Sequence, residues 1–202
     1  MVKSILALKQ QNLFVCIMCL FAFNISAQSP TSPFVVGDEA PNFSGIDQFG
    51  RNFDLKEVTN KGPVVLMFYR GYWCPYCNKQ LSQMEDSLSF ITEKGGTVVA
   101  VTPEQPEGIE KTIKKTKASF VILHDKDLKI MNQYDVGFRI DEDVLRKSKS
   151  RINYIEKNNG SNGPNLPVPA TYIIGQDGKI MHAFYDPDYK KRATVGKILE
   201  NL

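Results

Sequence analysis

The sequence predicts an α/β architecture: a central mixed β-sheet flanked by helices, with an N-terminal β-hairpin and a polar insertion before the last two strands. Three observations carry this. Val64 to Tyr69 is a continuous apolar run bounded by Gly62-Pro63 and Gly71, the pattern of a strand covered on both faces. Strand-length runs then alternate with helical stripes, which implies parallel crossovers. Finally, 202 residues with 42% hydrophobic and 23% charged content describe a globular chain and exclude a disordered or collagen-like one. A formal charge of +3 with no dense basic block gives no nucleic-acid footprint.

The first 27 residues read apart from the rest. Lys3 and Lys9 precede a nearly uncharged apolar run, Leu13 to Phe23, which ends at the small residues Ser26 and Ala27. This is the layout of a secretory signal peptide cleaved after Ala27. The apolar run is shorter than the roughly 20 residues of a spanning helix; an uncleaved N-terminal anchor is the alternative. Cys16 and Cys19 lie inside this run and leave with it. Residues 28–35, rich in Pro and Ser, form a linker, and residues 36–202 form one redox domain. Removal of the leader leaves Cys74 and Cys77 as the remaining cysteines of an exported chain large enough to bury a core without staples.

Within residues 36–202, Phe43 to Phe53 predicts the hairpin, turning at Gln48-Phe49-Gly50, and Leu55 to Asn60 a single helical turn. After the strand at Val64, the apolar stripe Leu81, Met84, Leu88, Ile91 predicts a helix from Pro75 to Lys94, closed by Gly95-Gly96. Thr97 to Thr102 is the next strand, Ile109 and Ile113 stripe a helix ending near Lys117, and Phe120 to Leu123 is a further buried strand. Leu128, Met131 and Tyr134 mark a short helix. Ile140 to Asn165 breaks the rhythm as a polar insertion in which Leu145, Ser148, Ile152 and Ile155 share a helical face, followed by a loop from Asn158. Ala170 to Ile174 and Ile180 to Phe184 form a hairpin about Gln176-Asp177-Gly178, and Val195, Ile198, Leu199 and Leu202 stripe the last helix.

Chemistry concentrates in Tyr72-Trp73-Cys74-Pro75-Tyr76-Cys77, where a buried strand gives way to a helix. Cys74 falls at the helix N-terminus, where the macrodipole and unpaired N–H groups favour a thiolate, and Pro75 suits the first helical position. Cys77 lies three residues on, over the same face, deeper and expected to be less ionised. Cys74 is therefore the attacking and Cys77 the resolving cysteine. The pair handles either a disulfide, through a mixed disulfide, or a peroxide, through a sulfenic acid at Cys74. Two other uses of a Cys-x-x-C stay open. Half of a zinc site, completed by His124 and His182, lacks the ligand spacing such sites show, and a structural disulfide would close too short a loop to stabilise much. No cofactor is expected.

Several segments resemble a known family. Trp73-Cys74-Pro75-Tyr76-Cys77 after a strand and Val168-Pro169-Ala170-Thr171 before the penultimate one resemble the thioredoxin fold. Val36 to Phe43, Phe68 to Cys77 and Leu166 to Ile174 look more narrowly like the alkyl hydroperoxide reductase/thiol-specific antioxidant family, in its peroxiredoxin-like branch. The resemblance implies a redox-active Cys74 in an exported, periplasmic bacterial protein. It also implies that Pro169 is a cis-proline beside the cysteines, with the Val168 backbone offered to an extended substrate; Tyr72, Trp73 and Tyr76 themselves supply an apolar rim that either grips a substrate, with Pro75 beside them, or simply packs against the core strand. The implied partners are a thiol electron donor such as a thioredoxin-like protein and a hydroperoxide or disulfide substrate.

This chain departs from the family pattern at several positions. Met67 and Gly71 stand where a peroxidase of this type has Pro and Thr or Ser, so the hydroxyl that orients a peroxide is missing. The usual thiolate-stabilising arginine would fall near Pro169; Arg70 and Arg139 are the candidates to replace it. Phe68 stands where thioredoxins bury an Asp, leaving Cys77 without an assigned proton acceptor. The expectation is a thiol-dependent antioxidant oxidoreductase cycling Cys74 and Cys77 between dithiol and disulfide. The alternatives are a thioredoxin- or glutaredoxin-like exchange protein without peroxidase activity, and a non-enzymatic redox sensor or binding module.

Overall fold

The computed structural model describes residues 32–202, together with all side chains in that range except those of Glu142 and Leu145. The leader, its cysteines, the first half of the linker and the Leu145 side chain lie outside the described residues. Among the described residues no helix is long and apolar enough to cross a membrane.

A five-stranded mixed sheet forms the centre. Its strands are β3 (Val64–Phe68), β4 (Thr97–Thr102), β5 (Val121–His124), β8 (Ala170–Ile174) and β9 (Ile180–Tyr185), in the order β5-β4-β3-β8-β9. β3, β4 and β5 run parallel, whereas β8 is antiparallel to both β3 and β9. Because side chains alternate along a strand, β3 feeds two cores. Val64, Leu66 and Phe68 face one cluster with Phe43, Tyr134 and Tyr172, while Val65, Met67 and Tyr69 face another with Leu81, Met84, Ile91 and Ile198. All five residues of β3 are buried, as the unbroken apolar run requires.

The remaining elements cover the two faces. The hairpin β1 (Ser44–Ile46) and β2 (Asn52–Asp54), with α1 (Leu55–Thr59), packs Phe43, Phe53 and Leu55 on the first face. Gln48 in its turn donates to Phe120 O and accepts from Ile122 N, each at 2.8 Å, so the open edge beside β5 is blunted. The second face carries α2 (Pro75–Asp86), α3 (Leu88–Glu93), α4 (Pro106–Thr116) and α8 (Val195–Glu200). The helix expected from Pro75 to Lys94 is two helices, because Ser87 leaves helical geometry (φ −112°, ψ 8°). Asp86-Ser87 is a weak helix-forming pair whose polar groups compete with the ladder. α5 (Lys129–Gln133) returns Ile130, Met131 and Tyr134 to the first face.

The polar insertion is folded and fastened. It comprises α6 (Glu142–Lys147), α7 (Lys149–Asn159) and a 3₁₀ turn over Gly160–Asn162, where a loop was expected. A short antiparallel pair, β6 (Gly137–Arg139) with β7 (Asn165–Pro167), closes its base and was not anticipated from the sequence. Ile140, Ile152, Ile155 and Leu166 form its small core, against which Trp73 packs. Asn162 Nδ2 donates to Pro103 O (2.8 Å) and Asp125 O (3.0 Å), and Gln105 N donates to Asn158 O (2.8 Å), tying the insertion to the ends of β4 and β5.

Candidate active site

β3 ends at Phe68, and the loop Tyr69 to Trp73 carries the chain to the N-terminus of α2. Cys74 is the N-cap of that helix in extended geometry (φ −88°, ψ 109°), and its sulfur accepts the Cys77 N–H at 3.3 Å. Pro75 occupies the first helical position, where no donor is lost. Both cysteines are free and buried, with Cys74 2% and Cys77 0% exposed.

An arginine that the sequence reading missed dominates the electrostatics. Arg192, in the loop between β9 and α8, places Nη2 3.4 Å from Cys77 Sγ and 4.0 Å from Cys74 Sγ. Burial pushes the Cys77 thiol up, but the Cys74 S–H, the Arg192 guanidinium and the Arg70 backbone N–H outweigh it and bring Cys77 down to about 6. The neighbouring Cys77 sulfur and burial push the Cys74 thiol up. Arg192 and the helix N-terminus together favour a thiolate in this dithiol, and the guanidinium, which local sequence does not reveal, lies nearer Cys77 than Cys74.

Of the two arginines expected near the thiolate, one is there. Arg70 is half-buried, stacked over Trp73 (5.2 Å) and Tyr189 (4.8 Å), and burial lowers its pKa against the pull of the two cysteines. Arg139 is exposed on β6 opposite Asn165 and touches neither sulfur. The Asx turns Asp188 N to Asp186 Oδ1 (2.8 Å) and Lys190 N to Asp188 Oδ1 (3.1 Å) shape the loop that supplies Arg192 instead. Arg192 Nη1 donates to Lys191 O at 2.7 Å and to Tyr189 O, which holds the side chain in place.

The expected substrate rim is rearranged. Trp73 is half-buried between Arg70 and the insertion core, so its ring serves packing. Tyr76 is 38% exposed and meets Tyr189 edge-on at 5.7 Å, giving an aromatic rim that includes a residue the sequence reading did not single out. No peptide bond among the described residues is cis, so Pro169 is trans, contrary to expectation. The Val168 N–H is already committed to Val136 O at 2.8 Å, because β6 and β7 draw this segment into the base of the insertion. Ala170 pairs with Phe68, which leaves Pro169 at the end of the sheet from which the cysteine loop departs.

Gly71 explains one departure from the peroxidase pattern. Its φ is +147°, and a Cβ built there would lie 2.5 Å from Glu104 Oε1 and 2.6 Å from Trp73 Nε1. The space that a threonine would use is filled by Glu104, which is 0% exposed and accepts the Tyr72 N–H at 2.9 Å. His124 Nδ1 contacts the Glu104 carbonyl at 2.6 Å, and His182 lies on β9. A cavity of about 620 Å³ lined by Ile46, Phe49, Ile109 and Ile113 contains neither cysteine. The cysteines are taken as the site because they alone among these groups combine nucleophilicity, a helix N-terminus and a juxtaposed guanidinium.

A strand-to-helix dithiol of this construction defines a thiol-based oxidoreductase. The chain belongs to the AhpC/TSA family, whose model matches residues 36–183. It is 25% identical over 158 residues to a thiol-disulfide oxidoreductase ResA of Bacillus cereus, covering 78% of this chain and 73% of that protein. It is 26% identical over 155 residues to peroxiredoxin Bcp of Escherichia coli, covering 77% and 88% respectively. Among solved structures, peroxidoxin BcpB of Mycobacterium tuberculosis superposes with a TM-score of 0.63 at 19% identity, covering 82% of this chain and 94% of that one.

Proposed function

We propose that the protein reduces disulfides through a Cys74/Cys77 dithiol–disulfide cycle. One observation carries the reading: two free cysteines sit at the N-terminus of α2 with the Arg192 guanidinium 3.4 Å from the Cys77 sulfur and 4.0 Å from that of Cys74. As a disulfide approaches, Cys74 gives its proton to Cys77. The Cys74 sulfur attacks one substrate sulfur, and the other departs as a thiolate stabilised by Arg192. Cys77 then passes its proton to that departed thiolate and attacks Cys74, releasing the second half of the substrate as a thiolate. The substrate gains two electrons and the enzyme is left as an internal disulfide. A thiol electron donor, such as a thioredoxin-like protein, returns it to the dithiol. Pro75, Tyr76 and Tyr189 form the exposed rim that a substrate meets first.

Hydroperoxide reduction is the second reading, and Arg192 favours it. Its guanidinium reaches both sulfurs and supplies donors that a peroxide oxygen requires, in the absence of a hydroxyl at position 71. Cys74 would then become a sulfenic acid that condenses with Cys77, releasing water. The leader-like residues 1–27 support export, with the redox domain acting in the periplasm.

Stopped-flow fluorescence of Trp73 separates the two reactions. The reduced protein is mixed with hydrogen peroxide and, in parallel, with a small disulfide. Cys77→Ser should accumulate a mixed disulfide at Cys74, and rapid exchange with peroxide oxidation no faster than a simple thiol establishes the first reading. Peroxide oxidation far faster than that establishes the second. Retained turnover in Cys74→Ser overturns both.

A further inference from the structure

The mechanism above leaves one buried ionisable group unused. Glu104 follows β4 and is completely inaccessible, yet no cation pairs with it among the described residues. Its Oε2 accepts the Tyr72 N–H, whereas Oε1 is buried without a partner, as is Trp73 Nε1 beside it. An unpaired carboxylate in such a place is costly unless it can be neutralised by a proton.

Its surroundings are built to keep it there. Gly71 and Gly108 leave room for it, since a Cβ at either position would come within 3 Å of the carboxyl group, at 2.5 and 2.9 Å. The insertion seals it through Asn158 and Asn162, which hold the neighbouring Gln105 N and Pro103 O. The groups that face it are few. Tyr69, from the end of β3, and Cys77, from α2, raise the energy of its charged form or have their own raised by it. Lys111 and Lys115 of α4 favour the charged form, but both ammonium groups are held over the Tyr72 ring, at 4.7 and 5.0 Å. His124 and Thr102 engage only its backbone, and the insertion contributes no charge to it.

Cys77 is the one facing group whose charge the redox cycle changes. In the dithiol the pair, held against the Arg192 guanidinium, carries a thiolate; in the disulfide that charge is gone. We propose that Glu104 is the charge counterweight of the cycle, taking up a proton when the Cys74–Cys77 disulfide is reduced and releasing it when the disulfide forms. With a dithiol donor the step balances. The S–S bond accepts two electrons, one donor proton goes to Cys74 and the other to Glu104, Cys77 is left as the thiolate, and the donor becomes a disulfide. Burial, against the opposing Tyr72 N–H, and then the Cys77 charge hold Glu104 up at about 8 in the dithiol, so the exchange falls in the neutral range. Glu104 acts through Cys77 and is a positioning residue for charge, not a group that touches substrate.

The inference rests on the Cys74/Cys77 reading, and one titration tests both. The purified chain is equilibrated with dithiol/disulfide buffers from pH 6 to 9, and its reduced fraction is read by alkylation and mass. Above the range where Cys77 titrates, and once the two protons of the buffer's own reduction are allowed for, a protein half-reaction that fixes one proton has a constant that falls about tenfold per pH unit. In the unaltered protein the fall should be steeper than tenfold just below pH 8 and relax to tenfold above it, whereas Glu104→Gln, which keeps an acceptor for Tyr72, should be tenfold throughout. Parallel lines for the two proteins overturn the proposal. Failure of the unaltered protein to form a Cys74–Cys77 disulfide overturns the reading beneath it. A second measurement needs no variant: the reduced-minus-oxidised infrared difference spectrum at neutral pH should show a protonated carboxyl gained and a carboxylate lost, and absence of that pair contradicts the proposal.

Discussion

Arg192 and Cys77, 115 residues apart in the chain, meet at 3.4 Å between Nη2 and Sγ. The contact brings a fixed positive charge against the buried dithiol and so favours a thiolate there. It also supplies the guanidinium that the family pattern would place near Pro169, from a different loop of the sheet.

Removing that charge should therefore move the dithiol's titration. Arg192→Met is expected to raise the thiolate midpoint from about 6 toward the ordinary cysteine range near 8.5. The thiolate's ultraviolet absorbance against pH measures it. Thiolate at pH 7 should fall from about nine-tenths to about half for the first unit of the shift and about tenfold for each unit well beyond that, and raising the pH should restore the exchange rate. An unchanged midpoint would show that Arg192 is structural.

Gly71→Ala tests the filled space beside the loop. With φ at +147° and a new Cβ 2.5 Å from Glu104 Oε1, the variant should lose about 1–3 kcal/mol in denaturant unfolding. A threonine there should cost at least as much and should not speed reaction with peroxide.

The insertion should behave as part of the site's foundation. Ile155 is 2% exposed in the cluster on which Trp73 rests, so Ile155→Ala should cost about 2–5 kcal/mol and shift Trp73 emission toward that of an exposed indole. Deletion of Asp141 to Asn162 should then lower the melting temperature as well as alter substrate preference, because it uncovers Trp73 and Glu104 together.

Glu104 also has a signature in stability. Its folded pKa is raised from 4.5 to about 8, so its stabilising contribution is complete below about 4.5 and is lost as pH rises toward 8. Unfolding free energies of reduced wild type and Glu104→Gln should accordingly diverge across that window, the variant gaining on the wild type by up to about 1.4 kcal/mol per pH unit. Cys77, lowered to about 6, works in the opposite direction as pH rises through that value, which is why the difference between the two proteins is the informative quantity.

Much of this was legible in the chain. The unbroken apolar run at Val64 predicts a doubly covered strand, and Cys-Pro-Tyr-Cys after it predicts the N-cap sulfur and the proline at the first helical position. The break at Ser87 and the β6–β7 clasp were not legible. A stripe at three and four residues continues through a one-residue kink, and three-residue strands carry too little pattern to register.

The site divides along the same line. Sequence alone determined the central sheet, the dithiol and the helix that presents it, because each depends on neighbours within a turn or a strand, and local periodicity and turn chemistry record such relations. Tertiary structure decided which guanidinium meets the sulfurs, why residue 71 is glycine, that Pro169 is trans and that Trp73 is a packing post. Those outcomes depend on Arg192, Glu104, Val136 and the insertion core, groups that reach the site across the sheet. Interactions between distant residues are set by distance and burial in three dimensions, and one sequence carries no pattern from which those quantities can be read.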